Sequence, residues 1–229
     1  MLNLRWVDKM DSFIEKIFEN ARVEDAYGDN EYAQVAQEAQ RYFQCILGML
    51  GDPDMCPNPT INALAQLVWN LIGKQMIPAV MMSELPVSSF MFEKKGDKEL
   101  AMIMLPTDFS QRCKDDPYMQ FGAVVFLASQ ARDAYNGRIP PEEETARRGI
   151  ARKVHKRAHA FEAEYLLTAQ QNCNDFTPNE YQQELLKRFP NGLDSLEPEL
   201  KYDSKPFVQG PPSPILDGYD FPKPPKRRF

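Results

Sequence analysis

The stretch FGAVVFLASQARDAYNG, Phe121 to Gly137, most limits what this chain can become. Its residues are apolar on most sides of a helix, so that helix has to be enclosed by other elements rather than laid on a surface. Asp116-Pro117 marks its start and Asn136-Gly137 its end, which predicts a central helix from Pro117 to Asn136. Ser129, Gln130 and Asp133 interrupt the apolar run, with Ser129 and Asp133 one turn apart on a single face.

The rest of the sequence offers the elements to enclose it. Met10, Phe13, Ile14, Ile17 and Phe18 recur at the three-four spacing of an amphipathic helix over 7–21. Tyr32, Val35, Ala36, Ala39, Phe43, Ile46, Leu47 and Leu50 predict a second over 30–50. GDPDMCPNP then breaks the chain, and Thr60 is expected to cap a third helix, TINALAQLVWNLIGK. In SFMFEKKGDKELAMIMLPTDF two short runs flank a Lys-Gly-Asp-Lys turn, which predicts a β-hairpin with ELAMIML as its second strand.

Pro140-Pro141 followed by Glu142, Glu143 and Glu144 starts a long helix reaching about Gln171. The prolines suit its first turn and the carboxylates its positive dipole end. The last helix, TPNEYQQELLKRF, is expected to open with a capping box between Thr177 and Glu180 and to stop at Pro190. The predicted fold is α+β, mostly α-helical, a single domain over 1–200 with a small β-hairpin or sheet packed on helices. Residues 201–229 change composition to a proline-rich extended arm, which can order only where Phe207, Ile215, Leu216, Tyr219 or Phe221 finds a groove.

Several function classes are disfavoured. The net charge of −6 argues against nucleic acid as a partner of the whole chain. No apolar run is long enough for a membrane span. MLNLRWVDKMDSF carries charges where a signal peptide has its apolar region, so the expected location is the cytoplasm. The four cysteines (Cys45, Cys56, Cys113, Cys173) show no C-x-x-C spacing and are expected to be free thiols. There is no Gly-x-Ser-x-Gly, no phosphate loop and no dinucleotide fingerprint.

The run Leu127-Ala128-Ser129-Gln130-Ala131-Arg132-Asp133-Ala134-Tyr135 is followed on the next helix by Phe161-Glu162-Ala163-Glu164. Together these resemble the zincin-like, HExxH-type domains of a bacterial metallopeptidase-like family, whose helix reads L-A-H-E-A-R-H-A-Y and whose later helix carries Glu-Ala-Asp. The resemblance covers about 85–170. It implies a zincin-like arrangement in which Ser129 and Asp133 stand at the two histidine ligand positions and Gln130 at the general base. Glu162 then matches the third ligand and Glu164 the aspartate after it. Serine is a poor zinc ligand, and glutamine cannot take a proton from water at neutral pH. Asp133 with Glu162 makes at best a weak site for a hard cation. The resemblance therefore implies a pseudoenzyme, catalytically inactive, without a cofactor or bound metal. The alternative is coincidence: the polar residues form the partly wet edge of a core helix, with Arg132 pairing to Glu162 or Glu164.

His155 and His159 lie four apart on the long helix, with Glu162 three residues on, which is metal-ligand spacing. Against it, the core stripe of that helix is Ile150, Val154, Ala158, Phe161 and Tyr165, and the histidines lie off it. Arg147, Arg148, Arg152, Lys153, Lys156 and Arg157 form a basic strip that repels a cation. The strip can dock an acidic or anionic partner, or be neutralised internally; no aromatics interleave it to stack on bases.

The favoured reading is a protein–protein interaction or structural module that binds a partner or a second copy. The basic strip and Phe207, Tyr219 and Phe221 of the arm are its candidate contacts. The rivals are a metal-dependent hydrolase or metal-binding protein using His155, His159 and Glu162, and an anionic-partner module working through 147–159.

Overall fold

The computed structural model describes residues 31–73, 79–82, 88–95, 98–136 and 144–201. The helix expected over 7–21 and the arm contacts Phe207, Tyr219 and Phe221 lie outside them. The described chain is mostly α-helical. In order it runs α1 (Glu31–Gly51), α2 (Pro59–Gly73), β1 (Ala79–Met82), β2 (Ser89–Lys95), β3 (Lys98–Pro106), α3 (Phe109–Asp115), α4 (Pro117–Tyr135), α5 (Glu144–Asn172), α6 (Glu180–Arg188), a 3-10 turn (Gly192–Ser195) and α7 (Pro198–Lys201). Among the described residues no helix is long and apolar enough to cross a membrane.

α4 is the axis of the fold. Asp116 caps it by accepting from the Met119 N–H at 3.0 Å, and Pro117 follows where a missing N–H costs nothing. Every residue from Leu127 to Tyr135 is buried, so this helix is enclosed on all sides as its composition demands. α5 packs along it antiparallel: Gly122, early in α4, meets Glu162, while Gln130, later in α4, meets His155. Val154, Ala158, Phe161 and Tyr165 of α5 are buried, and the Phe121 and Tyr165 rings stack 6.0 Å apart.

β3 is the middle of a three-stranded sheet, with β2 antiparallel on one side and β1 parallel on the other. Ile103 pairs with both Ala79 and Phe90. Met102 to Leu105 are buried in succession, the pattern of a strand covered on both faces. β1 and α3 were not expected from the sequence.

Two helix starts differ from expectation. Asn58, not Thr60, caps α2: its Oδ1 accepts from the Thr60 and Ile61 N–H groups, each at 3.1 Å. The capping box of α6 is Asn179 with Gln182, not Thr177 with Glu180. In both cases the asparagine immediately before the first helical residue accepts from the orphan N–H groups.

Candidate functional site

Asp133 is wholly buried between α4 and α5. Its carboxylate accepts a hydrogen bond from Arg157 Nη1 and another from Arg132 Nη2 at 3.3 Å. Both guanidinium groups are buried as well. Arg132 lies 4.6 Å from the Phe161 ring centroid, and Arg157 Nε donates to the Leu200 carbonyl at 3.4 Å. One carboxylate thus gathers charges from two helices and, through Arg157, ties α7 to them. Two expectations are corrected here. Ser129, Gln130 and Asp133 are not a wet edge but buried, and Arg132 reaches Asp133 instead of Glu162 or Glu164. A charge that leaves water must find a counter-charge, and Asp133 supplies one.

Ser129 is wholly buried, and its Oγ has no hydrogen-bond partner among the described residues. Gln130 Nε2 lies 3.4 Å from His155 Nε2, while its Oε1 is buried and likewise unpartnered among the described residues. The Phe126 ring lies against both imidazoles, 5.6 Å from His155 and 4.8 Å from His159. Loss of water around His155, and then the neighbouring His159, lower its pKa from the ordinary value of 6.5.

Glu162 belongs to a different cluster. Its Oε2 accepts from the Tyr181 hydroxyl at 2.8 Å and lies 3.3 Å from His159 Nδ1. Burial, then the charge of Glu162, push the Tyr181 hydroxyl pKa upward, so it stays a donor. Across from it stands Gly122, where an added Cβ would lie 3.3 Å from Glu162 Oε1. Gly122 is two turns before Ser129 and three before Asp133, so Glu162 is displaced along the α4 axis from Ser129 by about 10 Å. Two oxygen ligands of one zinc ion lie within about 4.4 Å of each other. Ser129, Asp133 and Glu162 therefore do not converge on one ion.

Glu164 works as a tie. Its Oε1 accepts from Asn58 Nδ2 at 2.9 Å and its Oε2 from the Leu193 N–H at 3.1 Å. It joins α5 to the cap of α2 and to the 3-10 turn. Gly192 starts that turn at φ +53°, and a Cβ there would fall 2.1 Å from Glu164 Oε2.

The basic strip divides in the same unforeseen way. Arg152 and Lys153 are exposed. Lys156 is bonded to Glu197 at 2.6 Å, and Arg157 is internal rather than part of a solvated face. The side chains of Arg147 and Arg148 lie outside the described residues. Arg157 falls three residues after Val154 and four before Phe161, squarely on the core stripe, and that spacing was the signal that could have found it. Tyr181 carried no comparable signal, because its partner lies on another helix.

The donor set does not fit a zinc centre. The positions hold a buried serine, an amide beside His155 and an aspartate held by two guanidinium groups, with the matching glutamate two turns off. Among the described residues no three His, Cys, Asp or Glu side chains cluster to hold a metal ion. All four cysteines are buried and free, and burial pushes the Cys45 thiol up to about 12 and that of Cys56 to about 11. Comparison with family models, with curated proteins and with solved structures yields no match for this chain.

Proposed function

We propose that this chain is a non-catalytic protein-interaction or structural domain, in which a protein cation pairs with the carboxylate that stands at a ligand position of the zincin-like resemblance. The observation that carries the reading is the Arg157–Asp133 pair. Asp133 stands at the second ligand position of the resemblance, and the positive charge it meets comes from the facing helix. A guanidinium supplies five donors and no acceptor and stays charged, so it neither activates water nor leaves the site. The Leu-Ala-x-x-Ala-Arg-x-Ala-Tyr frame supports kinship with zincin-like peptidases, and the position of Glu162 speaks against it. Both agree on the absence of a general base at Gln130.

The test is thermal denaturation of the full chain with zinc and with a chelator, alongside metal analysis of the purified protein. A resident site saturated a hundredfold above its Kd adds about 2.7 kcal/mol of stability. The expected result is no stoichiometric metal and an unmoved Tm. A zinc-dependent rise lost in a His155→Ala, His159→Ala variant would replace this reading with the metal-binding one.

A further inference from the structure

α1 and α2 cross antiparallel, and their meeting leaves a groove of about 300 Å³ lined by Leu47, Gly48, Gly51, Asp52, Trp69 and Asn70. Gly48 and Gly51 put backbone beside Leu47 on the α1 side. Gln66 closes one end by donating to the Gly51 carbonyl at 2.8 Å. Trp69 is 40% exposed, although the next turns of its helix hold Ala65, Val68 and Leu71 in the core. The groove is small and built around one flat aromatic.

Those properties select among occupants. An amphipathic helix needs a long apolar trough, and here only Leu47 and Trp69 are apolar. A polyproline-II strand needs the opposite. It lays proline rings on an indole face, and its carbonyls, unbonded within the strand, accept from side-chain N–H groups such as those of Trp69 and Asn70. Beside the groove the 51–55 turn carries Asp52 and Asp54, with Asp52 Oδ1 accepting from the Asp54 N–H at 2.9 Å. That corner favours a proline strand flanked by positive charge.

The chain contains one: Phe221-Pro222-Lys223-Pro224-Pro225-Lys226-Arg227-Arg228. Fully extended, residues 202–222 reach roughly 70 Å, while a domain of this size is roughly 40 Å across, so every face is in range. A groove this small binds weakly, and a tether sets a local concentration on the order of millimolar. A free partner rarely competes with that.

We propose that the Leu47–Trp69 groove is a polyproline-II site whose occupant is the same molecule's C-terminal segment, with Pro222, Pro224 and Pro225 at Trp69 and Lys226 to Arg228 beside Asp52 and Asp54. The proposal does not depend on the α4–α5 site or on the reading of its history.

The chain's two tryptophans are Trp6 and Trp69, so a Trp6→Phe full-length protein reports on Trp69 alone. Acrylamide quenching of its fluorescence is compared with three further full-length variants. One carries Pro222, Pro224 and Pro225→Ala, one carries Lys226, Arg227 and Arg228→Glu, and one is Asp52→Asn, which keeps the turn's acceptor. Quenching is expected to rise about twofold or more when the prolines or the basic residues are changed, and less in Asp52→Asn. In a separate Trp69→Ala protein, which removes an exposed side chain and leaves circular dichroism unchanged, tryptic release of the C-terminal segment becomes roughly fivefold faster. Equal quenching in the parent and both arm variants overturns the proposal, whether Trp69 is open or covered by another segment. Protection that grows with protein concentration assigns the groove to a second copy's segment and overturns the intramolecular occupant.

Discussion

Arg157 and Asp133 meet 24 residues apart in sequence, inside the α4–α5 interface, with their side chains 5% and 0% exposed. Breaking a buried pair from one side leaves the other charge stranded, which costs about 3–5 kcal/mol. Asp133→Ala is expected to lose that much in urea denaturation, and Arg157→Met less, because Arg132 still reaches Asp133. The double variant is expected to lose less than the sum, because the second change removes the charge the first one stranded. Additive losses would show that the two side chains act independently.

Tyr181 and Glu162 make a second, weaker link. The hydroxyl at 2.8 Å is a hydrogen bond to a charged group and joins α6 to α5. Tyr181→Phe keeps the ring and removes only the donor, for an expected loss of about 1–2 kcal/mol. The same hydroxyl in the parent is expected to resist ionisation in an ultraviolet pH titration, since burial and Glu162 both raise its pKa.

Gly192 is tested by Gly192→Ala. The added Cβ meets Glu164 Oε2 at 2.1 Å and Glu164 Cα at 3.0 Å, at a φ of +53° that alanine rarely adopts. Side-chain rotation relieves the first contact but not the second. The expected cost is about 2–4 kcal/mol. Asn58 is expected to lose protection from the same change, seen as faster amide exchange of Thr60 and Ile61 at the start of α2.

Sequence and structure agree most where one helix decides its own fate. α4 was legible because Asp116-Pro117 starts it and its apolar composition excludes a surface position. The buried stripe of α5 was legible as Val154, Ala158, Phe161 and Tyr165 for the same reason. What depended on a distant partner was not legible. Arg157 looks like one more residue of a basic strip until Asp133 is placed opposite it. Glu162 keeps its expected spacing along α5, yet its level against α4 is set by Gly122, and no local pattern encodes that register. β1 is four residues long and exists as a strand only because β3 lies beside it. The caps at Asn58 and Asn179 were missed because Thr60 and Thr177 are also acceptable cap residues, and only the backbone path chooses between them.

His155 gives the protein a pH dependence of definite sign. Its pKa is lowered in the folded chain by loss of water and by His159, with Gln130 and Phe126 against it from α4. The unfolded chain titrates near 6.5. Between those two values the unfolded state holds the proton and the folded state does not, so acidification through 6.5 favours unfolding. The ring edge is exposed, and solvent screens much of the effect. His155→Gln removes the titration and keeps a polar neighbour for Gln130. The measurement is the stability difference between parent and His155→Gln at pH 7.5 and at pH 5.5. The parent is expected to fall relative to the variant on acidification. A parent that gains on the variant instead would mean that protonated His155 finds a counter-charge in the folded state, and the lowered pKa would be wrong.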